Sequence, residues 1–175
     1  MNKKYWKTIP DDFISHGHKW EMEKWFKVDG KIECCKNGFH CSKTILDATS
    51  YVTPGWICRV EVRGDFDNQG DKLAYREMRI LNRVKFTETI AREVAIYSAE
   101  LVLPIYEKEY PNDKKPRNAI ETAKRYLIGM ATKEELAAAW DAAWAAARDA
   151  ASAAASAAAR KKINAYIEKI IKIGA

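Results

Sequence analysis

The chain has 175 residues, of which 47% are hydrophobic and 31% charged, with only 8 glycines and 5 prolines. Such a composition excludes a disordered chain, a collagen-like repeat and a disulfide-framed secreted module, and the length suits one compact domain or a small domain with an extension. Lys and Arg number 30 against 24 Asp and Glu, a net charge of +6 that favours acidic partners without identifying one.

The N-terminus, Met1 to Phe13, carries early lysines but no apolar run of signal-peptide length. No later segment approaches the ~20 apolar residues that span a bilayer, so no membrane partner is expected. Cys34, Cys35, Cys41 and Cys58 are too few and too clustered for a disulfide scaffold. They read as reduced thiols of a cytoplasmic protein.

Composition changes near residue 87, dividing the chain into an α+β head, residues 1–86, and a helical region, residues 87–175. In the head, Asp29-Gly30 marks a turn before a short strand over Lys31–Cys35, and Asn37-Gly38 precedes Phe39-His40-Cys41. Ser42 is placed to cap a short helix through Ile45, Leu46 and Ala48 toward Tyr51, closed by Thr53-Pro54-Gly55. Trp56, Cys58, Val60 and Val62 alternate with Ile57, Arg59, Glu61 and Arg63, the period of a half-buried strand. Gly64 to Gly70 reads as a loop. A second strand follows, with Met78, Ile80, Val84 and Phe86 on one side and Arg79, Leu81, Arg83 and Lys85 on the other.

Thr87 is placed to cap a helix whose apolar stripe is Ile90, Val94, Tyr97, Leu101 and Ile105, with Pro104 expected to kink or end it. Pro116 suits the first turn of a further helix carrying Ala119, Ile120, Ala123 and Leu127, and Gly129 supplies its left-handed stop. Thr132 and Glu135 form a capping-box pattern. From Lys133 to Ile173 neither Gly nor Pro intervenes, which predicts an Ala-rich helix of roughly 60 Å if continuous. It would serve as a scaffold or as the seam of a homodimer, and Ile163, Ile167, Ile170 and Ile171 give it an apolar end stripe. The fold class is therefore α+β: a small mixed or antiparallel sheet head, then a helical hairpin and a long Ala-rich helix.

Arg59, Arg63, Arg79, Arg83 and Lys85 share one side of their strands if the alternation holds. That basic face would meet nucleic-acid phosphates or an acidic protein surface, unless Glu61, Glu77 and Asp65 simply balance it. Trp140 and Trp144 lie one turn apart, as core anchors against the 116–128 helix or as an interface hot spot. Cys34, Cys35, His40, Cys41 and Cys58 lack zinc-site spacing, and His16-Gly17-His18 reads as a solvated loop. No phosphate-binding glycine loop, dinucleotide fingerprint or nucleophile elbow occurs, so no catalytic residue, metal or cofactor is assigned.

Two stretches carry resemblances. Trp20, Trp25, Gly38 to Ser42, Asp47-Ala48, Arg59 to Gly64, Asp71-Lys72 and Met78 to Ile80 resemble an uncharacterised domain family of phage, prophage and bacterial proteins, over about residues 16–86. Ala99 to Glu107, Tyr110 to Asp113, Pro116-Arg117, Ala119 to Glu121 and the Ala-rich tail are similar to immunity proteins of polymorphic toxin systems. The tail departs from that pattern in lacking histidine. Together the resemblances imply a non-enzymatic binding or inhibitor protein in the cytoplasm of a bacterial host, directed at a protein or ribonucleoprotein. By analogy with phage proteins it would be anti-defence, an anti-CRISPR-like inhibitor. Gly38 to Ser42 with the following helix to Tyr51 is also similar to the strand-to-helix segment of ADP-ribosyltransferases. That likeness implies an NAD-binding enzyme with His40 stacking on nicotinamide, Tyr51 alongside, and Glu61 or Glu77 as the nominal acid.

Overall fold

In the computed structural model, which describes residues 4–51, 55–140 and 157–172, the chain divides into two units. The described residues up to Glu88, with those from Ile167 onward, form the head; Thr89–Tyr166 form the helical unit. The architecture is α+β.

Among the described residues seven strands build the head: β1 (Tyr5–Ile9), β2 (Ile14–Ser15), β3 (His18–Lys19), β4 (Phe26–Lys27), β5 (Phe39–Cys41), β6 (Gly55–Asn68) and β7 (Leu73–Phe86). The short helix α1 (Ile45–Thr49) follows β5. The long β6–β7 hairpin is the frame: β1 pairs with the free edge of β6, while β4 and β5 both pair with the other edge of β7, all antiparallel. On the inner face, Ile9, Trp20, Phe39, Cys58, Val60, Met78 and Ile80 close a core, each at most 3% exposed. Each large apolar side chain so buried contributes roughly 1.5–3 kcal/mol.

Several local expectations are revised. Lys31–Cys35 is not a strand, because Glu33 and Asn37 bridge across a tight turn through Cys34, Cys35 and Lys36. Ser42 does not cap α1; its backbone bonds to Trp6 across β1, and Thr44 caps instead by accepting from the Asp47 amide. Gly64 to Gly70 is not all loop. β6 bulges opposite Arg76 and resumes pairing at Phe66, whose ring stacks on Tyr75 at 5.2 Å. A second bulge lies in β7, where Leu81 is the extra residue between the Arg59↔Asn82 and Val60↔Ile80 pairs.

In the helical unit, α2 (Glu88–Glu109) starts after Thr87 and runs through Pro104 rather than ending there, with the proline exposed. α3 (Lys115–Leu127) has Pro116 in its first turn. It closes on Gly129 (φ +74) with the Met130 amide donating to the Arg125 carbonyl and the Gly129 amide to that of Tyr126. The Thr132–Glu135 box forms both of its bonds, at 2.7 and 3.1 Å, and residues 133–140 are helical. Thr132→Ala is expected to lower stability in urea unfolding by about 1 kcal/mol; an unchanged midpoint would show that the box does not form in solution. α4 (Ala157–Ile171) buries Ile163, Ile167 and Ile171, with Ile170 half-buried, and Tyr166 stacks on Tyr97 of α2 at 4.0 Å. The middle of the expected Ala-rich helix, with Trp144 and the homodimer seam, lies outside the described residues.

Candidate functional site

A cavity of about 320 Å³ opens in the head, lined among others by Lys7, His16, Cys35, His40, Tyr51 and Lys72. Its walls come from short elements around the hairpin. β1 supplies Lys7 and β5 supplies His40, while the two-residue turn between β2 and β3 lifts His16 to 5.5 Å from the His40 ring. The 34–36 turn offers Cys35, and Lys72 lies just before β7 begins.

Lys7 is the unusual member. Its backbone pairs opposite Cys58, which directs its side chain to the inner face, where the residue is 5% exposed. The ammonium donates to the His40 carbonyl at 3.2 Å and lies 5.5 Å from the Trp20 ring centre. Among the described residues no carboxylate pairs with it. Burial pulls its pKa down to about 8, with Cys41 and Cys58 opposing slightly. Burial likewise pushes both thiols up to about 12. A buried cation without a counter-charge is rare, because desolvation disfavours the charged form.

His40 Nε2 accepts from the Cys35 amide at 2.9 Å, so this hydrogen-bond pattern assigns the ring proton to Nδ1. Nδ1 itself is enclosed without a partner. Burial, then the charges of Lys7, His16 and Lys72, hold the His40 pKa near 4, so the ring is neutral at pH 7. Burial, Lys7 and His18 also lower that of His16. Lys72 donates to Cys35 Sγ at 2.8 Å, and Tyr51 donates to Asp71 at 2.6 Å, a bond that adds to burial in pushing the phenol up to about 12. No residue lining the cavity is acidic among those described.

His40 and Tyr51, which the transferase likeness joins, line this one cavity. Glu61 and Glu77 do not. They lie on the outer face of the hairpin, where Glu61 accepts from Arg79 at 2.6 Å and Glu77 from Arg63 at 2.6 and 2.8 Å. The Trp25 ring covers both guanidinium groups, at 4.0 Å from Arg63 and 5.0 Å from Arg79.

The single basic face is also revised. The Leu81 bulge reverses the alternation of β7, so Arg59, Arg63 and Arg79 share the outer face while Arg83 and Lys85 face inward with Cys58 and Trp56. There Arg83 stacks on Phe13 and Trp56, at 4.6 and 4.3 Å, and Lys85 pairs with Asp11. Trp140 is not a buried anchor, being 51% exposed. Lys7 and Lys72 were not among the sequence candidates, and His16 and Cys35 were weighed there only as metal ligands. For Lys7 the one available signal was its place in the run Tyr5-Trp6-Lys7-Thr8-Ile9, whose other members are aromatic or β-branched.

Comparison with known families divides the chain much as its geometry does. Residues 3–92 match a domain of unknown function, DUF7666, and the chain belongs to that family. Residues 86–162 are similar to the model described as an Imm-5 like putative immunity protein. No curated protein and no solved structure matches the chain. Among the described residues no helix is long and apolar enough to cross a membrane.

Proposed function

We propose that this member of the DUF7666 family is an inhibitor that binds a protein or ribonucleoprotein target through its helical unit, in the cytoplasm of a bacterial host. The observation that carries the reading is the likeness of residues 86–162 to an immunity-protein model. Inhibition by contact needs an exposed apolar centre within a polar rim rather than a set of reacting groups. The helical unit supplies such side chains: Ile128 and Met130, 70% and 65% exposed, flank the turn after α3, and Trp140 follows on the next helix. Trp144, four residues further on in the sequence, lies outside the described residues. An anti-defence inhibitor of anti-CRISPR type, carried by a phage or prophage, would differ in target and not in this surface. A second copy of the chain is the partner proposed for the Ala-rich stretch.

The alternatives have less support. A transferase centred on His40 would have to work without Glu61 or Glu77. A nucleic-acid contact would have to use Arg59, Arg63 and Arg79 without Arg83 and Lys85, and two of those three are already paired with carboxylates.

The test is capture from the native host with the full chain and with a variant carrying Ile128→Asp and Met130→Asp, whose helicity is checked by circular dichroism. A protein retained stoichiometrically, inhibited in its own assay, and bound at least about 30-fold more weakly by the variant supports the reading. Equal retention by both forms, or consumption of NAD lost in His40→Ala, overturns it.

A further inference from the structure

Beyond the inhibitor reading, and independent of it, the head cavity has a charge balance of its own. Lys7 enters its wall as a buried ammonium with one carbonyl acceptor and, among the described residues, no carboxylate. Lys72 reaches the same wall, and among the described residues its ammonium donates to the Cys35 sulfur alone. His16 stands at the mouth, and hydroxyl-bearing Ser15 and Ser42 complete a lining that contains no acid among the described residues. Asp71 accepts from Tyr51 and keeps its charge near Lys72, but it is not part of the lining. Cations gathered around a space whose described lining holds no carboxylate favour an anion there, and a partly desolvated site strengthens that attraction relative to water. Trp6, Ala48 and Tyr51 supply apolar surface beside the charged groups. A volume of about 320 Å³ falls at the small end of ligand pockets, which run from ~300 Å³ upward.

We propose that this cavity is a binding site for a small molecule bearing an oxyanion, a phosphate or a carboxylate, held by Lys7 and Lys72 with His16 at its mouth. His40 is the wall that fixes the Cys35 turn and is neutral, so it adds shape and not charge. Binding should couple to proton uptake, because an anion beside Lys7 and His16 favours their charged forms while the other groups facing them, Cys41, Cys58, His18 and His40, carry no negative charge near pH 7.

Calorimetric titration of the full chain with inorganic phosphate, acetate and glycerol phosphate, with glycerol as the neutral control, tests this. Saturable binding of at least one anion is expected, tighter at pH 6 than at pH 8 and absent for glycerol. Lys72→Ala should weaken it by about tenfold and Lys7→Met should abolish it, with both variants folded by circular dichroism. A preference for glycerol phosphate over inorganic phosphate would identify an organic monoester as the source, and the reverse a free ion. No saturable binding of any probe, or binding unchanged in both lysine variants, overturns the proposal.

Discussion

Lys7→Met is expected to stabilise the protein at pH 7 by about 2 kcal/mol in urea unfolding. Burial depresses the lysine from its ordinary 10.5 to about 8, so keeping it charged in the folded head costs about 3 kcal/mol. Methionine fills a similar volume and needs no solvation. It leaves the His40 carbonyl without its ammonium donor, which returns about 1 kcal/mol. Replacing an unpaired buried charge by an apolar side chain therefore helps, where removing one member of a buried pair would do harm.

The pH dependence separates this account from simple repacking. Between pH 8 and 10.5 the unfolded chain holds the Lys7 proton and the folded chain does not, so stability rises with pH. Above pH 9 the opposite sign enters, because Cys41 and Cys58 ionise in the unfolded chain at their ordinary 9.0 and only near 12 in the fold. The wild-type protein should therefore gain stability from pH 7 to a maximum near pH 9 and lose it beyond, whereas Lys7→Met should show no gain over that interval. His40 acts in a separate window: its folded value near 4 lies below the ordinary 6.5, so stability present above pH 6.5 is lost as pH falls toward 4. A flat wild-type profile from pH 7 to 9, or a Lys7→Met protein less stable than wild type at pH 7, would contradict the buried uncompensated ammonium.

Which parts of this arrangement could be read from sequence follows from where the physics is local. The Thr132–Glu135 box, the Gly129 stop and Pro116 in the first turn of α3 each depend on a few neighbouring residues, and each forms as expected. The alternation of β6 was legible because its inward residues Cys58 and Val60 are apolar and Arg59 and Glu61 are not. β1 was not legible: Trp6, Lys7, Thr8 and Ile9 are all buried, so both faces of the strand are covered and no alternation remains. The Leu81 bulge was equally hidden. One apolar residue added to an alternating run looks like continuation, yet it turns Arg83 and Lys85 to the opposite face from Arg79. The same limit applies to the cavity, which draws Lys7, His16, Cys35, His40, Tyr51 and Lys72 from six separate places in the chain. Only His40 and Tyr51 belonged to the contiguous segment that the transferase likeness singles out.

Gly38→Ala is expected to cost the head about 3 kcal/mol in urea unfolding. Gly38 has φ +125, a conformation that L side chains rarely adopt, and it stands immediately before β5. An added Cβ would lie 3.0 Å from the Ala74 Cβ and 3.2 Å from Ile32 Cγ2, in the buried cluster these residues form with Cys34. Neither neighbour can swing away: Ala74 has no rotamer to change, and Ile32 is packed. The strain must therefore move β5 against β7, and β5 carries His40. The bond from the Cys35 amide to His40 Nε2 should loosen with it, so that this amide exchanges faster with solvent deuterium than in the wild type. Gly70→Ala is the control, since φ is +90 there but a Cβ would meet nothing within 4 Å. Its expected loss is about 1 kcal/mol, the backbone term alone. Equal losses for the two variants, with Cys35 exchange unchanged in Gly38→Ala, would mean that the close approach at the start of β5 does not hold the cavity wall in place.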